Sequence, residues 1–450
     1  MAEPAYALNQ PDPSTQDLIA ARPHLRMDAH AGLMLEAVPL ARIAACLGTP
    51  CWVYSAGTMR ARLRSLQTAL GGLGATVHYA VKANDHLAVL LVFGEGGAGA
   101  DVVSEGELLR ARQAGIPADH IVFSGVGKTL RELRLAVSEN IAQVNIESAA
   151  ELETLSAVAS GMGRTMKVAL RINPDVDAGT HAKITTGKAD NKFGIPFDEA
   201  ADLYAHAASL PGIAPVGLAL HIGSQILTLA PYRAAYQRAA DLVRGLRERG
   251  LAVERLDCGG GIGIGYRDEP GASPTGFAGV LRATLGNLGL KLMIEPGRWL
   301  VGPAGVLLAQ VVLTKGSGPG AGGRFVVLDA AMNDLIRPAL YDAYHAIVPL
   351  SPIDAQAPVR RCDIVGPVCE TGDTFARDRA LPTMQAGALV AILDAGAYGA
   401  VMSSTYNARP AAPIAMVDGD RWTEIRPRQS HASLWEHEKM PDFSQPADWN

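Results

Sequence analysis

The chain has 450 residues, 48% of them hydrophobic and 5% aromatic, with 40 Lys and Arg against 45 Asp and Glu for a formal charge of −5. That is too apolar for a disordered chain and too mildly acidic for a nucleic-acid binder, so a soluble globular protein is expected. Five cysteines, Cys46, Cys51, Cys258, Cys362 and Cys369, form no even framework and no CxxC pair, which argues against disulfides and against a metal site.

Residues 1–16 carry Glu3, Asp12 and several prolines and no basic stretch leading into an apolar core, so no secretory signal is expected. The segment before Ser55 is strand-like at 32–40 and 51–54. Met59, Leu63, Leu66 and Leu70 then line one helical face, with Ser55 available as N-cap. From there short β-rich runs occupy 76–81, 100–103, 121–123, 142–146, 167–172, 216–220, 254–257 and 291–294, with amphipathic stretches between them. Eight strands, each followed by a helix within about 250 residues, predict a (β/α)8 barrel over 55–305.

The longest nearly apolar run, 299–313, is broken by Gly302, Pro303, Gly305 and Gln310. It falls short of the roughly 20 apolar residues that span a bilayer, so no membrane association and a cytoplasmic location are expected. After Gly305 strands recur at 306–313, 324–328, 361–365, 388–393 and 421–425 without long helices between them, and turn signals stand at 316–320 and 418–420. This predicts a mainly antiparallel β-domain built from both chain ends, 25–54 and 306–428, with terminal extensions at 1–24 and 429–450. A prior of roughly 150 residues per domain suggests three domains, and a large barrel reduces that to two.

Active sites of such barrels lie at the C-terminal ends of the strands. The first strand ends in Tyr79-Ala80-Val81-Lys82-Ala83-Asn84, and a lysine closing an apolar strand is costly unless paired or neutralised. Burial would lower its pKa, as an imine-forming amine needs, although a lysine snorkelling from the rim also fits. The sixth ends in His221-Ile222-Gly223-Ser224-Gln225 and offers a flat imidazole, or simply a satisfied structural histidine. Gly259, Gly260 and Gly261 after the seventh allow close backbone approach to an anion. Their spacing lacks the dinucleotide fingerprint. The eighth ends in Glu295-Pro296-Gly297-Arg298. A lysine, an imidazole, a phosphate cradle and a carboxylate at one rim meet the requirements of pyridoxal phosphate.

These motifs resemble those of the fold-type III pyridoxal phosphate decarboxylases. Further matches are 101–108, Asn173-Pro174-Asp175-Val176-Asp177 and Asn191-Lys192-Phe193-Gly194, and the His-Ile-Gly-Ser-Gln form is that of the branch acting on meso-diaminopimelate. The resemblance implies that Lys82 holds the cofactor and His221 stacks on its ring. Ser224 and Gly259 to Gly261 would take the phosphate, Glu295 the ring nitrogen, and Asp101, Pro296 and Gly297 would lie against the cofactor. Arg337 and Tyr341 would meet the substrate, and Arg298 and Tyr398 both substrate and cofactor. Cys369 as proton donor and Glu370 on the distal ammonium would reach across the interface of a homodimer. Read alone, Cys369 fits a small buried hydrophobe, Arg337 a surface cation and Tyr398 a core aromatic. A same-fold decarboxylase of ornithine, arginine or a polyamine precursor is the alternative.

Overall fold

A computed structural model describes residues 12–177, 192–316 and 325–441. Each of the eight apolar runs forms a parallel strand: Thr76–Ala80, Gly99–Val102, Ile121–Phe123, Gln143–Ile146, Met166–Asn173, Ile213–Ala219, Arg255–Asp257 and Lys291–Ile294. The eighth pairs back onto the first, Met293 opposite Thr76 and Ile294 opposite Val77, so the sheet closes into the expected barrel. A two-residue strand, Ile195–Pro196, pairs beside the fifth.

The helix Ala56–Leu70 buries Met59, Leu63, Leu66 and Leu70, and the Ser55 hydroxyl accepts from the Thr58 N–H as its cap. Ser104, Thr129 and Ser148 likewise cap Glu105–Gln113, Leu130–Glu139 and Ala149–Gly161, turning the chain from strand to helix within a few residues. The helix Pro274–Leu285 lies between the seventh and eighth strands. Gly276 and Gly279 weaken its helical signal, and burial of Phe277, Leu281 and Leu285 overrides them.

Strand alternation sorts the barrel residues into two faces. Tyr79, Ala100, Val102, Val144, Ile146, Leu170 and Leu218 join the core between strands and helices. The other face carries His78, Asp101, Gln143, Asn145, Arg171, Asp257 and, just past the last strand, Glu295, all buried. A barrel interior is ordinarily filled by branched apolar side chains. Here its upper layer is a charged and amide-rich network.

In the second domain Gly305–Lys315 pairs antiparallel with Cys51–Ser55, Leu389–Ile392 and Phe325–Leu328. Cys51–Ser55 also runs parallel to Ile414–Asp418, so a strand preceding the barrel lies between two that follow it. The sheet is mainly antiparallel and joins Cys51–Ser55, from before the barrel, to strands from after it. Ile347–Pro349, Thr374–Pro382 and Ile414–Asp418 are additional strands. Arg377, Asp378 and Arg379 had hidden the second of these from an apolar reading. Residues 32–40 form two short strands, Gly32–Leu35 and Val38–Pro39, and then enter the unexpected helix Leu40–Leu47. The turn expected at 418–420 joins Ile414–Asp418 to Arg421–Arg426. Most of the turn expected at 316–320, Arg324, Asn191 and parts of both terminal extensions lie outside the described residues.

Candidate active site

Lys82 sits in a one-turn helix, Val81–Ala83, directly after the first strand. Its Nζ lies 2.5 Å from Asp101 Oδ2, with the lysine side chain 31% exposed and the aspartate 0%. Burial pulls the ammonium pKa down, but Asp101 and then Glu295 outweigh it and hold Lys82 above the ordinary lysine range. The lowered pKa expected from burial alone is therefore not what these protein groups produce. The other Asp101 oxygen, Oδ1, is buried with no hydrogen-bond partner.

Opposite lies an acid pair. Glu295 Oε1 accepts from Ser124 Oγ at 3.3 Å and lies 3.5 Å from Asn145 Nδ2. Asp257 Oδ2 accepts from Asn145 Nδ2 at 2.8 Å and Oδ1 from the Gly259 N–H at 3.0 Å. Burial first, then the neighbouring carboxylates Asp101 and Asp257, raises Glu295 well above the usual carboxylate range. Asp257 is also raised, chiefly by burial, and the two carboxyls are hydrogen-bonded to each other. Like charges this close cannot both ionise in a buried site, so the pair keeps a proton. Sequence reading missed Ser124, Asn145 and Asp257 as site residues; their signal was a buried polar side chain on or just past a barrel strand.

A third carboxyl near Lys82 is Glu107, whose Oε2 accepts from the Val103 N–H at 2.8 Å. Burial raises its pKa to about 7. A carboxyl raised in the folded state contributes its full stabilisation below the unfolded value, and loses it as pH climbs through the folded one. Chemical denaturation should therefore show Glu107→Gln gaining stability relative to the parent between pH 5 and pH 8, by about 1–3 kcal/mol. An unchanged difference across that interval would exclude a raised Glu107.

The sixth and seventh strand ends clasp each other. His221 Nδ1 accepts from the Gly260 N–H at 3.3 Å. Gln225 donates to the Ile264 carbonyl at 2.6 Å and accepts from its N–H at 3.2 Å. Burial, then Arg171 and Lys82, pushes the His221 pKa well below its usual value, so the ring is neutral. The three glycines are demanded first by packing: a Cβ on Gly259, Gly260 or Gly261 would fall 2.1, 2.0 or 2.2 Å from the carbonyl oxygens of Leu220, Glu295 and Gly223. Gly297 is likewise close-packed, its Cβ position 2.8 Å from the Ala83 methyl.

Arg298 donates from Nη1 to the Tyr266 hydroxyl at 2.7 Å and from Nη2 to Ser224 Oγ at 3.1 Å. Its guanidinium carbon lies 4.9 Å from the Tyr398 ring centroid. Tyr398 comes from the β-domain, adopts a positive φ of 55° and donates its N–H to the Ala83 carbonyl at 2.8 Å. Asn84 adds a bond to the Gly396 carbonyl at 3.0 Å, so this loop is pinned to the lysine motif. Arg337, at the start of the helix Arg337–Tyr341, is only 3% exposed and thus no surface cation; Tyr341 is half-buried at its end. In the further motif, Glu147 pairs with Arg171 at 2.5 Å and accepts from the Gly194 N–H at 2.8 Å, while Phe193 lies under the Arg171 guanidinium.

Cys369 and Glu370 stand apart. The Asp373 carboxylate takes the N–H groups of Met332 and Val368, each at 2.7 Å, and so shapes a loop that exposes both residues. Cys369 is not the small buried hydrophobe that its residue type suggests. Glu370 accepts from the Tyr406 hydroxyl at 2.9 Å, and the Cys369 N–H donates to Asn407 Oδ1 at 3.3 Å.

Residues 56–302 match the family model of the pyridoxal-dependent decarboxylases' pyridoxal-binding domain. The chain is 48% identical over 416 residues to a diaminopimelate decarboxylase of Zymomonas mobilis, covering 91% of this chain and 97% of that one. It is 43% identical over 400 residues to a diaminopimelate decarboxylase of Aquifex aeolicus, at 89% and 94% coverage. Among solved structures, diaminopimelate decarboxylase from Helicobacter pylori complexed with L-lysine superposes with a TM-score of 0.85 at 38% identity, covering 89% of this chain and 99% of that one. Barrel, sheet, motifs and full-length likeness together place this chain in the diaminopimelate decarboxylase family of pyridoxal-dependent decarboxylases.

Proposed function

We propose that this protein is a pyridoxal phosphate-dependent enzyme that decarboxylates meso-2,6-diaminopimelate to L-lysine and carbon dioxide, the last step of lysine biosynthesis. The observation that carries this reading is the meeting at one barrel rim of an ion pair, Lys82 with Asp101, and a buried acid pair, Glu295 with Asp257. Pyridoxal phosphate fits these residues. Asp101 keeps a buried oxygen without a partner at the lysine, the acid pair holds a proton, and the neutral His221 offers a flat face.

Lys82 would hold the cofactor, His221 would stack on its ring, Glu295 would meet its ring nitrogen, and Ser224 with Gly259 to Gly261 would take its phosphate. Asp101, Pro296, Gly297 and Tyr398 would line it. When bound, pyridoxal phosphate supplies an electron sink for the electron pair left on Cα as carbon dioxide departs. The Lys82 ammonium must lose a proton before it can act as a nucleophile, and Asp101 Oδ2 at 2.5 Å is placed to accept it. The Gly260 N–H fixes the His221 ring with Nδ1 as acceptor, which leaves the hydrogen on Nε2. The Glu295 and Asp257 pair keeps one proton available at the Glu295 carboxyl. Arg298, Arg337 and Tyr341 suit the substrate carboxylate, because guanidinium groups match it in a planar fork. Glu370 would hold the distal ammonium and the Cys369 thiol would return a proton to Cα, both offered by a second copy in a homodimer. A cytoplasmic location accords with this role; among the described residues no helix is long and apolar enough to cross a membrane.

The test is release of labelled carbon dioxide by the purified, cofactor-loaded protein. Turnover of meso-diaminopimelate at least about 100-fold above that of the LL isomer, ornithine or arginine is expected, given several stereochemically placed polar contacts. Faster release from ornithine or arginine would replace this reading by the alternative.

A further inference from the structure

Tyr266 follows the glycine-rich loop and has no part in the assignments above, yet two arginines meet on it. Its hydroxyl takes the Arg298 bond at 2.7 Å, and its ring face lies 4.9 Å from the guanidinium carbon of Arg337. His345 packs edge-on against the same ring, with centroids 5.2 Å apart and planes at 77°. The Leu393 carbonyl, an acceptor only, lies 2.8 Å from His345 Nδ1, so Nδ1 carries the hydrogen and Nε2 accepts from Arg337 Nη1 at 2.7 Å. Tyr266 is itself held at both backbone ends: its carbonyl accepts from Arg22 at 2.9 Å and its N–H donates to Glu269 at 2.9 Å. Arg22 is in turn locked by a buried ion pair with Asp394.

Two guanidinium groups crowded on one side chain repel each other. A neutral phenol lessens that cost, offering an oxygen lone pair to one and a negative ring face to the other, without neutralising either. Arg337 also gains an uncharged acceptor in His345. The result is a pre-organised pair of cations, which is what tight carboxylate recognition requires.

We propose that Tyr266 and His345 are positioning residues that hold Arg298 and Arg337 as one anion-binding pair for the substrate carboxylate remote from the reacting carbon. The inference rests on the reading of those arginines as substrate ligands. Tyr266→Phe keeps the ring face for Arg337 and removes only the acceptor for Arg298. With meso-diaminopimelate it should raise KM about tenfold, as expected for loss of one bond to a charged group, and leave kcat within about twofold. Competitive inhibition by pimelate, a dicarboxylate of the same length, should weaken by a similar factor. His345→Gln, which retains a neutral acceptor, should change KM less than His345→Ala. An unchanged KM in Tyr266→Phe, or an equal fall in kcat without a KM change, overturns the inference, provided that circular dichroism and cofactor absorbance match the parent. If Tyr266→Phe does not fold, the ordering of the two His345 variants decides alone. Arg298→Lys and Arg337→Lys separate the two levels. If both leave KM and pimelate inhibition unaltered, the reading of the arginines fails; if both raise KM while Tyr266→Phe does not, only the positioning role fails.

Discussion

Replacing Lys82 with alanine is expected to reduce carbon dioxide release by about 10³-fold or more, because among the described residues no other lysine closes a barrel strand at this cluster. Borohydride reduction of the parent, followed by peptide mapping, should leave the cofactor's mass on the peptide containing residue 82. The variant should show no such adduct on any peptide. A second consequence follows from Asp101, which is fully buried and has Lys82 as its ion-pair partner. Removing one member of a buried pair leaves an uncompensated carboxylate, at a cost of about 3–5 kcal/mol unless the group takes up a proton. Lys82→Ala should therefore also be less stable to urea near neutral pH, with the deficit shrinking as pH falls. Lys82→Arg separates the two effects, because a guanidinium restores the charge beside Asp101 but forms no covalent link. It should recover most of the stability and none of the turnover. Substantial turnover in either variant, or an adduct on a different lysine in the parent, would sink the assignment of Lys82.

The barrel was legible because its signals are local. Each strand is a short apolar run and several of the helices that follow start at a Ser or Thr cap, so Ser104, Thr129 and Ser148 mark boundaries that need no tertiary knowledge. Pro274–Leu285 is less clearly marked, because its glycines argue against a helix and burial argues for it. Thr374–Pro382 was lost because its charged residues interrupt the apolar run; pairing with Val359–Val365 decides the matter, and that partner is distant information. The site divides along the same line. Lys82, His221, the glycines and Glu295 end strands and could be found by asking what stands at the rim. Asn145 and Asp257 carry no motif, and only closure of the barrel brings these residues from the fourth and seventh strands within 2.8 Å of each other. The sign of the Lys82 shift was misjudged for that reason as well. Burial is visible from an apolar strand, whereas the carboxylates of Asp101 and Glu295 that outweigh it arrive from the second and eighth strands. Tyr266 was invisible as a meeting point of two arginines, since Arg298 and Arg337 approach it from separate domains.

Mixing two inactive variants should restore activity. Cys369→Ala is expected to lower turnover by about 10²–10⁴-fold, the usual contribution of a positioned proton donor, and Lys82→Ala by more. Cys369 and Glu370 are exposed on a loop shaped by Asp373, and their own hydrogen-bond partners are Asn407 and Tyr406 rather than any member of the lysine cluster. On the proposed reading, a thiol and a carboxylate that serve the substrate from such a position are delivered to the cluster of another copy. In a two-fold dimer the contact is reciprocal, each subunit giving its loop to the other. A hybrid of the two variants then has one site with both defects and one with neither. Random pairing makes half of the dimers hybrids with one competent site in two, so about a quarter of parental activity should return after subunit exchange or co-expression. Sedimentation should show the dimer, and differently tagged subunits purified in tandem should yield the hybrid with about half of the parental activity per dimer. The pairing of defects supplies the control. Lys82→Ala mixed with Lys82→Arg places a defect in every site whatever the partner, and should recover nothing. If tandem-purified hybrids of Lys82→Ala and Cys369→Ala are as inactive as their parents, then Cys369 acts within its own chain or not at all. The loop would then have to reach its own cluster by a rearrangement that the Asp373 bonds oppose.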